Sequence, residues 1–290
     1  MYTMKTNLLI MLFTAVISGN QIFAVEMDWT QWRGPNRDGV VTGKIWPNDL
    51  KATHLASKWR VELGSSYSGP IMDGDTVYVT ESSGENEVVR ALDRTNGKEK
   101  WRHTWAGKMS VPFFAAKNGS WIRSTPALAN GKLFVAGMKD HLLCIDIKTG
   151  KRLWEINFPK EHKTPIPSFG CVCSPMVDDK YVYMQAGAAF CKIEQDTGKM
   201  VWQSMKDKGG MYGSAFASPV FATLRDKEQI LVQSRTELAG VDVDSGGILW
   251  RQPVKAFRGM NILTPLPYKN GVYTSAYGGR SHFFEIKRDQ

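Results

Sequence analysis

The sequence predicts an all-β fold, a β-propeller built from four-stranded blades. An eleven-residue pattern recurs four times, with an acidic residue four positions before a glycine and a tryptophan four positions after it. Successive glycines are 53, 48 and 48 residues apart, and no stretch shows the 3.6-residue periodicity of an amphipathic helix. A repeat of that length is typical of propeller blades. The glycine and tryptophan of the four copies are Gly97 and Trp101, Gly150 and Trp154, Gly198 and Trp202, and Gly246 and Trp250.

Each copy of the pattern predicts a hairpin between the third and fourth strands of its unit. The order acid-x-x-Thr/Ser/Asn-Gly suits a type I turn followed by a residue at positive φ, which glycine adopts without steric cost. The short polar side chains can bond amides of the turn. The tryptophan then lies on an outer strand, where its ring can cover the neighbouring unit. We therefore expect these glycines and tryptophans to be structural and to dock the blades together.

The pattern belongs to a longer unit that begins with a Gly-, Ser- or Thr-Pro step followed by a β-rich run. The five steps are at Pro70, Pro126, Pro175, Pro219 and Pro265. The fifth unit ends at Gln290, before its turn glycine, so four complete blades and a partial fifth are predicted. Trp59 lies in a short alternating strand that no earlier strands precede. This strand either completes the fifth blade and closes a small ring or belongs to a blade that the chain does not encode; we favour the second, a truncated chain.

The first 24 residues read as a secretory signal peptide. Lys5 precedes an apolar stretch from Leu8 to Ile17, which is too short to span a bilayer as a helix. No cysteine follows that stretch before Cys144, so neither a transmembrane nor a lipid anchor is expected. We predict an exported protein of the periplasm or the outside of the cell. The formal charge of +9 is spread along the chain, and no nucleic-acid partner is expected.

Residues 25–56 form an irregular lead-in rich in Trp, Arg, Gly and Pro, and the propeller domain is predicted to span residues 57–290. Arg33, Arg37 and Asp38 of the lead-in could bind a ligand. We favour instead a tryptophan-anchored cap over the first and last units.

Four cysteines occur in a compartment where disulfides can persist. Cys171 and Cys173 share one face of a strand, and extended backbone does not allow them to be joined. Cys144 and Cys191 lie in the third strands of consecutive units, so they are either buried free thiols, which we favour, or an inter-blade disulfide. No His or second Cys pair completes a metal site around Cys171 and Cys173, and no metal site is predicted.

The pattern A-x-D-x-x-T-G-K-x-x-W, with its Ser/Thr-Pro step, resembles the repeats of pyrroloquinoline-quinone (PQQ)-like propellers over residues 57–290. The lead-in Gln31 to Gly39 and the segment Arg258 to Pro265 are similar to exported bacterial proteins of that class. The resemblance implies PQQ-like blades and a chain that forms an incomplete ring of a seven- or eight-bladed family. Its members divide into quinoprotein dehydrogenases and non-catalytic scaffolds such as the outer-membrane protein assembly propeller. The dehydrogenases carry adjacent cysteines, a calcium site and a catalytic Asp, whereas this chain has Cys171-Val-Cys173.

The candidate binding face consists of the long loops that enter the first strand of each blade, residues 106–123, 159–170, 205–216 and 255–261. Aromatic and Arg side chains at a rigid channel mouth suit a small planar anionic ligand or a protein partner. The predicted residues are Trp121, Arg123, Phe169, Tyr212, Phe216, Arg258 and Asn261.

These observations favour a non-catalytic binding or protein-interaction scaffold of the cell envelope, with no catalytic residue and no cofactor predicted. The alternative is a fragment or relative of a quinoprotein alcohol or sugar oxidoreductase, which would require PQQ and calcium. A third hypothesis, a sugar-polymer binder, depends only on the aromatic face.

Overall fold

The computed structural model describes residues 28–41, 49, 51–208 and 215–287, which form five antiparallel sheets in chain order. Blade 1 comprises β1 Ile71–Asp73, β2 Thr76–Ser83, β3 Asn86–Asp93 and β4 Glu99–Ala106. Blade 2 comprises β5 Ala127–Ala129, β6 Lys132–Gly137, β7 His141–Asp146 and β8 Arg152–Asn157. Blade 3 comprises β9 Met176–Val177, β10 Tyr181–Ala186, β11 Ala189–Glu194 and β12 Met200–Ser204. Blade 4 comprises β13 Val220–Leu224, β14 Lys227–Gln233, β15 Glu237–Val241 and β16 Ile248–Pro253.

Blade 5 has three strands among the described residues, β17 Leu266–Tyr268, β18 Gly271–Ser275 and β19 Ser281–Glu285. The helical segments are short: α1 Phe158–His162 and 3₁₀ turns at Ala52–His54, Phe113–Asn118 and Phe257–Gly259. Within the described ranges, no helix is long and apolar enough to cross a membrane. The predicted all-β propeller with four complete blades and a partial fifth is confirmed.

The hairpin that closes each of the first four blades follows directly from its turn sequence. In blade 2, Asp146 Oδ1 accepts bonds from the backbone N–H of Lys148 (3.1 Å) and of Thr149 (2.7 Å). The N–H of Gly150 donates to the carbonyl of Asp146 at 2.8 Å, and Gly150 has φ +69°. An L-residue pays a steric cost in that region and glycine does not, so the turn specifies its glycine.

The turn glycines of blades 2, 3 and 4 each lie under a tryptophan of the preceding blade. A Cβ added to Gly150 would lie 2.7 Å from the indole of Trp101, whose Nε1 donates to the carbonyl of Ile147 at 2.8 Å. Trp154 lies in the same way on Gly198 of blade 3. Only a residue without a side chain allows the ring to approach so closely.

Trp59 contacts the first blade. Its indole covers Gly97, and its Nε1 donates to the carbonyl of Arg94 at 2.8 Å. The segment around Trp59 thus packs on blade 1 as the tryptophan strands of blades 1–3 pack on the next blade. The structure does not show the alternative in which this segment supplies a fourth strand to blade 5, since the fifth sheet has the order β17-β18-β19 in the part of the chain that is described.

Trp202 of blade 3 and Trp250 of blade 4 do not bond a carbonyl of the next turn as Trp101 does. Trp202 covers Gly246, but the carbonyl of Val243 accepts from Lys192 Nζ at 2.9 Å, and the buried Nε1 of Trp202 has no hydrogen-bond partner among the described residues. Trp250 turns to its own blade, where its Nε1 donates to Gln229 Oε1 at 2.7 Å.

The Ser/Thr-Pro steps join the inner edges of the blades. Thr125 Oγ1 accepts from the N–H of Gly69 at 2.9 Å, and Ser174 Oγ accepts from the N–H of Thr125 at 3.0 Å. Ser218 Oγ in turn accepts from the N–H of Ser174 at 2.9 Å. The hydroxyl in front of Pro126, Pro175 and Pro219 therefore satisfies a backbone donor of the preceding step, a role that Ser or Thr can fill.

The lead-in segment 28–41 runs across the inner strands of all five blades. Trp29 exchanges two backbone hydrogen bonds of 2.9 Å with Met72 of blade 1, and the carbonyl of Thr30 accepts from the N–H of Leu128 of blade 2 at 2.8 Å. Trp32 Nε1 donates to Thr264 Oγ1, just before blade 5, at 3.3 Å.

Arg37 completes the lead-in by bridging blades 3 and 4. Its guanidinium donates to the carbonyls of Pro219 and Pro175, each at 2.8 Å, and of Ser174 at 3.3 Å. The residue is 2% exposed, and burial lowers the pKa of Arg37 to about 10. A planar fork with several donors can serve carbonyls of two blades at once, which a point charge cannot do. The lead-in thus fills the centre of the arc of blades.

Candidate functional site

Four of the loops that enter the blades meet in one cluster of aromatic rings. Phe114, from the loop entering blade 2, lies 6.1 Å from Phe169 of the loop entering blade 3, and Phe169 lies 5.7 Å from Phe216 in front of blade 4 (ring centroids). Arg258, from the loop entering blade 5, places its guanidinium carbon 4.7 Å from the ring centre of Phe114. We call these four residues and Phe113, whose ring is 5.6 Å from that of Phe114, the loop-face cluster.

The loop-face cluster has a buried base and an exposed top. Phe169 is 9% exposed, whereas Phe113 and Phe114 are 91% and 47% exposed. Phe257, beside Arg258, is also exposed. Soluble proteins rarely leave several large aromatic side chains together in water, and such groups mark interaction surfaces.

Arg258 is one of eleven described non-glycine residues with positive φ. It has φ +53° and ψ +28°, the left-handed region, inside a short 3₁₀ turn. A non-glycine residue in that region costs about 1 kcal/mol. This conformation accompanies the placement of the guanidinium over both Phe114 and Phe257.

Trp121 and Arg123 form a second group with Tyr67, which precedes blade 1. The ring centroids of Tyr67 and Trp121 are 5.3 Å apart, and the guanidinium carbon of Arg123 lies 4.9 Å from the centre of Tyr67. Arg123 Nη2 donates to the carbonyl of Gly119 at 3.1 Å, and burial lowers the pKa of Arg123. The cation is therefore held between the loop backbone and an aromatic face.

The two remaining predicted residues do not join either group. Asn261 is 1% exposed, and its Nδ2 bonds the carbonyls of Ser234, Arg235 and Val254, each at 3.1 Å. This side chain holds the loop between blades 4 and 5 in place. Tyr212 lies outside the described residues.

The sequence did not single out Tyr67 or Phe257. Tyr67 stands two residues before Gly69-Pro70, in the loop that enters blade 1, and the same position-based argument that selected the other four loops would have found it. Phe257 adjoins Arg258 but belongs to no motif.

Two buried carboxyl groups connect consecutive blades. Glu87 of blade 1 accepts from Trp105 Nε1 at 2.8 Å and from the N–H of Met138 in blade 2 at 3.0 Å, and burial raises the pKa of Glu87 to about 7. Asp140 of blade 2 accepts from the N–H of Gly187 in blade 3 at 2.7 Å, and burial raises its pKa to about 6. Both groups lie inside the fold and act as inter-blade acceptors.

The four cysteines are free and buried. Burial raises the pKa of the thiols of Cys173 and Cys191 to about 11 and about 12, so they are protonated at neutral pH. Within the described ranges, no group of three or more His, Cys, Asp or Glu residues is placed to hold a metal ion. The loop face presents aromatic rings together with the guanidinium groups of Arg258 and Arg123.

The radial four-stranded sheets, with a tryptophan covering each next turn, define a β-propeller of PQQ-like blades. The chain belongs to the PQQ_2 family, whose model carries the description "Outer membrane protein assembly factor BamB" and matches residues 85–290.

Individual relatives include an assembly factor and dehydrogenases. The chain is 21% identical over 302 residues to the outer membrane protein assembly factor BamB of Yersinia pestis, and this alignment covers 99% of this chain and 70% of that protein. It is 30% identical over 170 residues to the 1-butanol dehydrogenase (cytochrome c) of Thauera butanivorans, and this alignment covers 55% of this chain and 23% of that enzyme. The quinohemoprotein alcohol dehydrogenase of Comamonas testosteroni superposes with a TM-score of 0.55 at 16% identity, over 85% of this chain and 46% of that one. The last likeness shows the fold alone.

Proposed function

We propose that this chain is an exported, non-catalytic propeller whose loop face binds a protein partner in the cell envelope. The observation that carries this proposal is the loop-face cluster, in which side chains from four loops of consecutive blades meet, with Phe113 and Phe114 exposed above the buried Phe169 and beside Arg258. Aromatic and Arg side chains supply most of the energy at protein interfaces. The family description supports a role in outer-membrane protein assembly. Export is supported by the pattern of residues 1–24, which lie outside the described residues.

The test is capture of partners from an envelope extract by the purified protein, followed by affinity measurement with the recovered partner. Replacing both Phe113 and Phe114 by Ser removes the exposed rings, and we expect the captured partner to bind at least about tenfold more weakly. Tyr268→Ala is the matched control, because Tyr268 is 58% exposed on blade 5 and outside the loop-face cluster. No enriched envelope protein, or the same partner bound equally well by the double variant, would count against the scaffold.

The second candidate function is a quinoprotein oxidoreductase, favoured by the identity to the Thauera dehydrogenase. The residues present do not match the requirements of the cofactor. Cys171 and Cys173 are buried, separated by Val172, and turned toward backbone carbonyls, while Arg37 fills the centre between blades 3 and 4. Incubation with PQQ and calcium and an assay for a bound chromophore and dye-linked alcohol oxidation decides the matter, since both signals together would overturn the scaffold proposal.

A further inference from the structure

A cleft on blade 1 lies apart from the loop-face cluster. It is bounded by the tip of the β2–β3 hairpin and by the two ends of the loop that enters blade 2, and its volume is about 260 Å³. That is slightly smaller than the pockets that accommodate drug-sized molecules. Its walls include Ser82, Asn86 and Ser120, with Trp121 at one side.

The polar groups of this blade-1 cleft have unused hydrogen-bonding capacity. Ser82 Oγ accepts from the N–H of Ile122 at 2.9 Å, and Ser120 Oγ accepts from the N–H of Val111 at 3.0 Å. A hydroxyl has one proton and two acceptor positions, so each serine keeps a donor and an acceptor. The side-chain amide of Asn86 makes no hydrogen bond among the described residues. The cleft therefore offers both donors and acceptors, and the two serine hydroxyls are held in position by backbone N–H groups.

The charged groups in the cleft walls already have partners. The carboxyl oxygens of Glu87 accept from the neutral donors Trp105 Nε1 and Met138 N–H, and Lys108 Nζ forms an ion pair with Glu85. An anionic ligand would therefore find Lys108 already paired and the Glu87 carboxyl nearby, and burying its charge there would be costly. A neutral ligand that is rich in hydroxyl groups does not meet this cost.

Trp121 adds an aromatic wall that is held in place. Tyr67 packs on it at 5.3 Å, and Gly119 approaches its ring so closely that a Cβ there would lie 2.4 Å from the indole. The ring nevertheless remains 37% exposed. The negative π face of an aromatic ring attracts the weakly positive C–H groups that a pyranose presents on one side.

We propose that the blade-1 cleft binds a single neutral pyranose unit, with Trp121 against its C–H face and Ser82, Ser120 and Asn86 bonded to its hydroxyls. The unit is either a free sugar or the end of a glycan. This site is independent of the protein partner proposed for the loop-face cluster, and either can fail without the other.

The experiment is calorimetric titration of the full chain with the methyl glycosides of glucose, galactose and N-acetylglucosamine, and with sorbitol as an open-chain polyol. We expect saturable binding of at least one glycoside and none of sorbitol. Trp121→Ala should weaken binding by about tenfold, which corresponds to roughly 1.4 kcal/mol, and Tyr268→Ala should leave it unchanged. A β-linked N-acetylglucosamine trimer that binds more tightly than its monomer would identify a glycan end as the natural ligand, and equal affinity would identify a free sugar.

Asn86→Ala provides a second variant at an exposed hairpin position, where loss of folding is not expected. It should weaken the glycoside several-fold while the urea unfolding midpoint stays that of the parent protein. The proposal is overturned if none of the three glycosides gives saturable heat, if sorbitol binds as tightly as they do, or if both variants retain the parent affinity.

Discussion

The contact between Trp101 and Gly150 can be tested by giving Gly150 a side chain. Gly150→Ala forces an L-residue to φ +69° and places a methyl group 2.7 Å from the indole of Trp101. Gly131→Ala is the matched control, because Gly131 lies in the same blade at φ +71° with no atom within 4 Å of the added methyl group. Both variants carry the backbone strain, and only one carries the collision.

The magnitudes follow from these two contributions. A left-handed alanine costs about 1–2 kcal/mol, which is the whole effect expected at Gly131. At Gly150 the indole must also move. It then loses the 2.8 Å bond to the Ile147 carbonyl, at about 1 kcal/mol, and the overpacked contact costs a further ~1–3 kcal/mol. Gly150→Ala should therefore lower the free energy of unfolding by about 3 kcal/mol more than Gly131→Ala.

Urea unfolding followed by tryptophan fluorescence measures both variants, and a double-mutant cycle assigns the difference to the ring. In a Trp101→Ala background, Gly150→Ala should cost only as much as Gly131→Ala, because the indole is absent. The reasoning is refuted if the two glycine variants are equally stable in the parent protein, or if the excess cost at Gly150 persists without Trp101.

Three further predictions concern the buried groups. Burial raises the pKa of Glu87 to about 7 from its ordinary 4.5, so the stabilisation by the protonated Glu87 carboxyl is fully present below pH 4.5 and is lost as the pH rises through 7. Glu87→Gln should remove about 3 kcal/mol from the pH dependence of the unfolding free energy over that range. An unchanged pH profile of urea unfolding in this variant would contradict the prediction. Arg37→Met leaves three carbonyls without their donor and should cost about 3 kcal/mol of unfolding free energy, and Arg37→Lys should recover less than half, so a lysine variant of parental stability would refute the bridging geometry. The native protein should take up no iodoacetamide at pH 7.5 and the urea-unfolded protein four equivalents; labelling of the native protein would disprove the burial of Cys144, Cys171, Cys173 and Cys191.

The blades could be predicted from the sequence because their determinants are local. The acid, the hydroxyl and the glycine of each turn lie within five residues, so their spacing alone specifies the hairpin, as the bonds of Asp146 to Thr149 and Gly150 show. Because the pattern repeats, the four tryptophans occupy the same position in their units. The sequence also predicted that each ring would cover a neighbouring unit, as Trp101 does on Gly150. It did not predict that the indole of Trp250 would bond Gln229 of its own blade, because that partner is not a local property.

The candidate site was less predictable, because burial and partners decide the role of each side chain. Asn261 and Arg258 lie three residues apart in one loop, yet one is sealed against three carbonyls and the other lies over exposed rings. Likewise, the carbonyl of Val243 accepts from Lys192, 51 positions away in sequence, and Trp202 Nε1 has no hydrogen-bond partner among the described residues. No periodic pattern encodes such choices.

The position of Arg37 connects the fold to the proposed functions. Its carbonyl partners belong to blades 3 and 4, 137 to 182 residues away in sequence, and the lead-in that carries it also bonds blades 1, 2 and 5. The centre of the arc is therefore occupied by the protein's own chain, whose displacement would break hydrogen bonds to every blade. A ligand that displaced the lead-in would have to break these hydrogen bonds. The loop-face cluster and the blade-1 cleft are already open to solvent, and the blades beneath them hold their loops. The two proposed binding surfaces therefore require no displacement of the lead-in segment.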